Sequence, residues 1–247
     1  MTTDAPGAIP SPNIWSDPQL YETHNLALDR EGVLDAAMRT LVGRVSPAGW
    51  QGLDVVEVGC GSGFHLPRLA AAGARVVGVE PHAPLVELAR SRIAGMPSAA
   101  VPPTVPSVTL AGAAETGLPD ASVDVAIARW AYFFGPGCEP GLAELARIVR
   151  PNGIAMVIDN DATRSTFGGW FTRAWPDYDA AALHRFWVRQ GWRRQPLLIE
   201  WRFDTRADFE AVLGLEFEPR YAASVLSADP ERTSVDYAVN LWWRRFP

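Results

Sequence analysis

The sequence contains no lysine, only two cysteines and no long uncharged apolar run. Two cysteines, Cys60 and Cys138, cannot build a disulfide framework or a zinc cluster, so the sequence predicts a protein of the reducing cytoplasm. The N-terminal stretch MTTDAPGAIPSP lacks a basic region followed by an apolar one. Neither export nor membrane insertion is therefore predicted, and no membrane partner is expected.

Positive charge is also scarce. The 22 basic residues, all arginine, stand against 28 acidic residues and leave a net charge of -6. A phosphate-backbone partner requires a concentrated positive surface, so the composition argues against binding to nucleic acid. The arginine pairs at 193–194 and 244–245 are interpreted as solvated faces.

The most informative stretch is LDVVEVGCGSG, residues 53–63. A short apolar run that carries Glu57 gives way to glycines in the spacing G-x-G-x-G, followed by an alanine-rich segment. This pattern predicts a strand, a tight turn and a helix. Glycines allow positive φ and close approach of a ligand, and the helix adds free N–H groups. A dinucleotide-binding turn, G-x-G-x-x-G, would need a glycine where this chain has Phe64.

The full spacing E-x-G-x-G-x-G resembles motif I of the class I S-adenosylmethionine-dependent methyltransferases. The resemblance implies an α/β, Rossmann-like fold: a mostly parallel sheet of about seven strands, the last one antiparallel, with helices on both faces. It also implies S-adenosylmethionine as the cofactor, with the glycine loop against its methionine part. With 48% hydrophobic residues the chain can bury a full core, and we expect one domain over 14–247 after a disordered tail, 1–13.

Four positions near motif I are expected to hold the methionine end of the cofactor. The resemblance implies that Glu57 supports the loop and that the turn itself admits the ligand. The turn residues concerned are Gly59, Cys60 and Gly61. On the leading helical segment, 14–45, Tyr21 or Asn25 is expected to touch the cofactor.

An acid at the end of the second predicted strand indicates the ribose site. Glu80 lies about 20 residues beyond the glycine turn, and one carboxylate can accept hydrogen bonds from both ribose hydroxyls. Pro81 follows it. The alternative for Glu80 is a cap for the next helix.

The adenine side departs from the family pattern. Relatives often carry Gly-Asp-Ala-Glu where this chain has Gly-Ala-Ala-Glu, so Ala113 stands in place of the adenine-binding aspartate. Ala114 and Glu115 are the expected substitutes. After strand four, Arg129 is expected beside the cofactor through its backbone.

Candidates on the acceptor side are fewer. His24 and Tyr132 are predicted to handle a proton or position the acceptor. An aromatic-rich stretch, 160–194, is either a substrate lid or additional core. Strand five ends in Asp-Asn-Asp, as in catechol-type methyltransferases, but no acid follows strand four, so no metal is predicted.

Together these patterns predict O- or N-methylation of a small molecule. The amine-methylating signature, Asn- or Asp-Pro-Pro-aromatic, is absent after strand four. The main alternative is a protein that binds the cofactor without transferring the methyl group, as a pseudo-enzyme or accessory subunit. An NAD-linked oxidoreductase is disfavoured by Phe64. The acceptor and the oligomeric state do not follow from the sequence.

Overall fold

The computed structural model describes residues 3–96, 105–132 and 135–247. Most of the proline-rich loop that the sequence predicts at 94–106 lies outside these ranges. In the described part of the chain, no helix is long and apolar enough to cross a membrane.

Nine helices and seven strands make up the described part of the chain. The helices are α1 (Pro18–Ala27), α2 (Val33–Val42), α3 (Leu66–Ala71), α4 (Ala83–Ala94), α5 (Glu139–Ile148), α6 (Thr166–Ala174), α7 (Ala180–Arg189), α8 (Arg206–Glu216) and α9 (Pro219–Ala228). The strands are β1 (Asp54–Val58), β2 (Arg75–Glu80), β3 (Ser107–Leu110), β4 (Val123–Arg129), β5 (Val149–Asn160), β6 (Arg193–Arg202) and β7 (Ser234–Arg245).

The strands form a single sheet in the order β3-β2-β1-β4-β5-β7-β6. Neighbours among β1 to β5 pair in parallel, and β7 lies antiparallel between β5 and β6. The predicted fold is thus confirmed, including the late antiparallel strand. Strand order reverses between β1 and β4, so their carboxyl ends open a crevice where a ligand binds in sheets of this type.

The central strands are mostly apolar because both sheet faces are covered by helices. Val55 and Val56 of β1 and Ile127 of β4 are buried almost completely. The amphipathic helices bury one stripe each. Pro67 and Pro140 fall in first turns, where a missing N–H costs nothing.

The leading segment consists of two helices. The chain leaves α1 at Leu28, which forms a bridge with Trp201 of β6. Asp29 follows with a φ of 53°, and its carboxylate accepts N–H bonds from the first turn of α2. Since an aspartate tolerates this left-handed conformation and caps helices well, it explains the break.

Residues 3–13 contain neither helix nor strand, but they make specific contacts. The Ala5 N–H donates to the carbonyl of Pro81 over 2.8 Å. Asp4 accepts from the N–H of Ala83 and lies 2.9 Å from the His82 ring. The stretch expected to be a loose tail thus lies along the open edge of the crevice. Its division from the domain stays a prediction.

The aromatic-rich stretch contributes mainly to the core. Its large side chains are buried at Phe167, Trp170, Phe171, Phe186, Trp187 and Trp192, whereas Trp175 is exposed. The Trp187 ring is completely buried and stacks on Trp242 of β7, with ring centroids 5.6 Å apart. Burial therefore favours the additional-core interpretation over a lid.

Candidate functional site

The glycine turn after β1 folds tightly against the sheet. Gly59 has a φ of 70°, and a Cβ atom there would lie 2.4 Å from the Cβ of Ala131. Gly61 has a φ of 57°, and a Cβ there would lie 2.7 Å from the side chain of Ile14. Both positions therefore require glycine for conformation and for space. The N–H groups of Gly59 and Cys60 donate to Val79 of β2, which fixes the turn beside the next strand.

Glu80 ends β2 directly beneath this turn. One carboxylate oxygen accepts the Gly61 N–H over 2.9 Å, and the other accepts the His82 N–H over 3.0 Å. Burial raises the pKa of Glu80 to about 7, although both backbone bonds oppose this. Each oxygen keeps free acceptor capacity, so the carboxylate can still receive two hydroxyls. It also lines the crevice, and the helix-cap alternative is partly realised through His82.

Glu57 is nearly completely buried and forms an ion pair with Arg129 at the end of β4. Its other carboxylate oxygen has no hydrogen-bond partner. Burial raises the pKa of Glu57 despite the nearby guanidinium. An orphaned buried oxygen at a ligand crevice is a ready acceptor for an ammonium group.

Arg129 borders the crevice, and its side chain spans from Glu57 to the sulfur of Met38 on α2. The expected contact between its backbone and the cofactor stays a prediction. The next residue, Trp130, has a φ of 49° and donates from its indole to Asn160 over 2.7 Å. A bulky residue held in this conformation marks the end of β4 as a strained segment, as is common at functional sites.

Two adjoining cavities lie over the carboxyl ends of the strands. The first, of about 110 Å³, is lined by Glu57, Glu80, Arg129, Tyr21, Asn25 and the glycine turn. The other, of about 940 Å³, is lined by the loop after β3 and by residues 3–9 of the N-terminal stretch. Ile9, Pro81 and Ala131 border both cavities. The groups predicted to hold methionine, ribose and adenine thus follow one another along a continuous crevice.

The loop after β3 is held by a buried network that the sequence did not reveal. Glu144 of α5 accepts from the N–H and hydroxyl of Thr116 and pairs with Arg147. Ala114 and Glu115, which precede this anchor, are exposed and border the larger cavity. This places both residues where adenine is expected.

The two residues predicted to handle a proton, His24 and Tyr132, are both buried. His24 is buried, its ring packs against Tyr21 and Trp201, and burial lowers its pKa to about 4. It borders none of the cavities described here. Tyr132 borders the adenine side, and burial raises its pKa strongly. Both positions favour packing over catalysis.

A further cavity, called the second cavity from here on, adjoins the first cavity on the side of α2 and α3. Its volume is about 260 Å³, and it shares Asn25, His65, Arg129 and Trp130 with the first cavity. Sequence reasoning did not single out His65, although it directly follows the glycine turn and Phe64. It also missed Ile14 and Trp15, which cover the turn, because a proline-rich stretch gives no periodic signal.

The side chains of the Asp-Asn-Asp stretch at the end of β5 are bonded to other side chains of the protein. Asp159 accepts from the Trp242 indole, Asn160 from Trp130 and Tyr237, and Asp161 pairs with Arg194. Within residues 3–96, 105–132 and 135–247, no group of three or more metal-ligating side chains is assembled. These three residues, 159–161, border none of the cavities described above.

A parallel sheet in this order, with a glycine turn after β1 and an acid at the end of β2, defines the class I methyltransferase fold. Residues 56–157 match the family model described as a methyltransferase domain. The matched segment therefore resembles a methyltransferase domain of this fold, for which S-adenosylmethionine is the implied cofactor.

Solved structures agree on the fold. The YcgJ protein from Bacillus subtilis superposes with a TM-score of 0.60, over 88% of this chain and 99% of that one, at 14% identity. A candidate type II methyltransferase from Anaeromyxobacter dehalogenans superposes with a TM-score of 0.55, over 85% and 96% of the two chains, at 25% identity.

Curated relatives match a shorter stretch. The tRNA U34 carboxymethyltransferase of Methylococcus capsulatus is 39% identical over 62 residues, which is 25% of this chain and 18% of that protein. A protein of the same name from Colwellia psychrerythraea is 40% identical over 62 residues. The chain thus spans less than a fifth of the length of the curated relatives it matches.

Proposed function

We propose that this protein transfers a methyl group from S-adenosylmethionine to an oxygen or nitrogen atom of a small molecule. The observation that carries the proposal is the crevice itself. Its buried carboxylates, Glu57 and Glu80, lie on either side of a glycine turn that admits a ligand backbone to close range. Each of them has acceptor capacity left for the group that the cofactor would bring.

The fit to the cofactor can be stated residue by residue. The free oxygen of Glu57 suits the ammonium group of the methionine end, and Glu80 suits the ribose diol. Ala114 and Glu115 border the space left for adenine. When bound, S-adenosylmethionine supplies an electrophilic methyl group. The protein's task is to align the acceptor and keep water out, which alone accounts for a large part of many rate enhancements.

Two features support a small acceptor. The second cavity is lined by residues of α2, α3 and the end of β4, and its volume of about 260 Å³ suits a small molecule. The net charge of -6 also disfavours a polyanionic substrate in general.

Turnover distinguishes this proposal from a non-catalytic cofactor-binding protein. Incubation with S-adenosylmethionine and a panel of hydroxylated and aminated small acids should release S-adenosylhomocysteine, detected by mass spectrometry. We expect at least one acceptor to raise release tenfold over the protein alone. Heat-denatured protein serves as the blank. Micromolar cofactor binding without acceptor-dependent release over the whole panel would instead favour the non-catalytic alternative.

A second candidate acceptor is RNA, which the names of the curated relatives suggest. One surface supports it. Four arginines that form no ion pair within the described residues, Arg44, Arg193, Arg244 and Arg245, line a cavity of about 460 Å³ around Trp243. The guanidinium carbons of Arg44 and Arg193 lie 4.9 and 5.1 Å from the Trp243 ring centroid. Such a cluster suits phosphate groups.

The location of this arginine cluster weakens the RNA candidate. Arg245 pairs with Ile154 on β5, whereas the crevice lies beyond Asn160 at the other end of that strand. Six residues of strand separate the two positions by roughly 20 Å. An RNA that used the cluster would have to wrap around the sheet edge to reach the cofactor.

Binding measurements decide between the two acceptors. If RNA is the acceptor, fluorescence anisotropy with a labelled tRNA at 50 mM salt should give binding that the Arg44→Glu/Arg193→Glu variant weakens at least tenfold. The matched control, Arg173→Glu/Arg220→Glu, reverses two exposed arginines away from the cluster that form no ion pair with the residues the structure describes, and it should bind like the wild type. We expect no tRNA binding above the non-specific level, as the small-molecule proposal requires.

A further inference from the structure

The residues that line the second cavity indicate how a ligand would lie in it. One wall is formed by Leu34 and Met38 of α2, and the opposite wall by Leu69 of α3. At its inner end it meets the cofactor crevice at His65, Arg129 and Trp130. A molecule in this cavity would therefore present one end to the cofactor and keep the other between the two helices.

The volume limits the ligand. A cavity of about 150 Å³ lined by apolar side chains is known to hold benzene. The 260 Å³ here therefore accommodates one ring with a few substituent atoms. The apolar walls suit the ring, and the charged groups at the rim require polar substituents.

All but one of the charged side chains that line this cavity have a bonding partner among the described residues. Asp35 pairs with Arg39 at 2.6 Å, and Asp29 is bonded to the first turn of α2. Arg129 pairs with Glu57. Arg68 is the remaining arginine, and it has no acidic partner within the described residues. An anion on the ligand would compensate it, most effectively a carboxylate that can accept two parallel N–H bonds.

His65 lies where the ligand and the cofactor crevice meet. It is half-buried, and no hydrogen bond to its ring is formed by the described residues. Burial together with the nearby Arg129 and Arg68 lowers its pKa well below the usual value, so the ring is neutral at pH 7. A neutral imidazole can accept a hydrogen bond from a hydroxyl or amino group.

We propose that the cavity between α2 and α3 is the acceptor site, and that it takes a single-ring carboxylate held by Arg68, with its hydroxyl or amino group at His65. This inference rests on the proposed small-molecule methyl transfer and names the substrate class. It assigns Arg68 and His65 as binding residues for the acceptor.

Calorimetry with two probes tests the charge requirement. The protein is first saturated with S-adenosylhomocysteine and then titrated with 4-hydroxybenzoate or with the neutral 4-hydroxybenzyl alcohol. We expect the carboxylate to bind at least tenfold more tightly. Arg68→Gln should remove this preference. Arg173→Gln, a change at another exposed arginine without an ion pair in the described part of the chain, should keep it. Equal affinity for the two probes, or an unchanged preference in Arg68→Gln, would overturn the proposal.

A third probe tests His65 separately from the cavity. Benzoate lacks the hydroxyl that His65 is expected to meet. His65→Ala should therefore weaken 4-hydroxybenzoate about tenfold and leave benzoate within twofold, whereas a collapsed cavity would weaken both equally. The latter result would refute the role of His65. Failure to bind S-adenosylhomocysteine in the first step would count against the proposed function itself, and is recorded independently.

Discussion

Replacing Glu80 with alanine should weaken S-adenosylmethionine binding at least a hundredfold. The carboxylate is expected to accept both ribose hydroxyls, and a hydrogen bond to a charged group contributes about 1.5–3 kcal/mol. Two such bonds correspond to roughly a hundredfold or more in affinity. The same change also frees the N–H of Gly61 from its present acceptor, which loosens the turn against which the cofactor lies.

The same residue makes cofactor binding depend on pH. Burial raises the pKa of Glu80 to about 7 in the free protein. Because the ribose hydroxyls donate to the ionised form, binding lowers this pKa. Affinity should therefore rise with pH up to about 7 and become constant above it. Calorimetric titrations between pH 5.5 and 8.5 measure this dependence directly.

A matched control separates Glu80 from other buried acids. Burial also raises the pKa of Asp159 to about 7, but that residue bonds to Trp242 and borders none of the described cavities. Asp159→Asn should keep both the affinity and its pH dependence, and Glu80→Gln should lose both. If Glu80→Ala binds the cofactor within fivefold of the wild type while remaining folded, the ribose assignment is wrong.

The sequence revealed the parts of the site that depend on local geometry. A glycine turn after an apolar strand, and an acid at the end of the next strand, are set by a few consecutive residues and by the sheet register. Their positions could therefore be predicted. Glu57 and Glu80 both border the crevice beside the turn, and the strand order is the one that the resemblance to the methyltransferase family implies.

The sequence could not reveal contacts between distant segments. No pattern in the sequence around Glu57 predicts that Arg129, 72 positions later, compensates its charge. Likewise, Trp15 stacks on His82 with ring centroids 3.9 Å apart, although it precedes the first periodic helix. His24 looked accessible because it lies on a helix beside polar residues. It is buried because α1 packs against β6 and α8, which come much later in the chain.

Replacing Arg129 with methionine should destabilise the folded protein by about 3–5 kcal/mol at pH 8. Glu57 is 2% exposed and Arg129 12% exposed, so the pair is shielded from water. Breaking a buried pair by removing one partner leaves an uncompensated charge, which is the costly case. Methionine fills a similar volume without the charge; it also loses the weak N–H bond to the Met38 sulfur, which is a small part of the effect. Urea unfolding followed by tryptophan fluorescence measures the free energy of unfolding.

The loss should be smaller at pH 5, and the sign follows from Glu57. Its pKa is already raised in the folded protein, and without Arg129 it rises further. The folded variant then holds a proton that the unfolded chain releases above pH 4.5, the ordinary value. Stability of the variant relative to the wild type therefore falls as pH increases from 5 to 8.

Two further variants determine whether the buried charge is the cause. Arg90→Met breaks an exposed pair with Glu87 and should cost less than about 0.5 kcal/mol at either pH. Glu57→Gln combined with Arg129→Met removes both charges and should recover more than half of the loss. If the double variant is as unstable as Arg129→Met alone, the guanidinium stabilises the strand ends by packing rather than by compensating Glu57. In that case the free oxygen of Glu57 could not be treated as a charged acceptor for the cofactor's ammonium group.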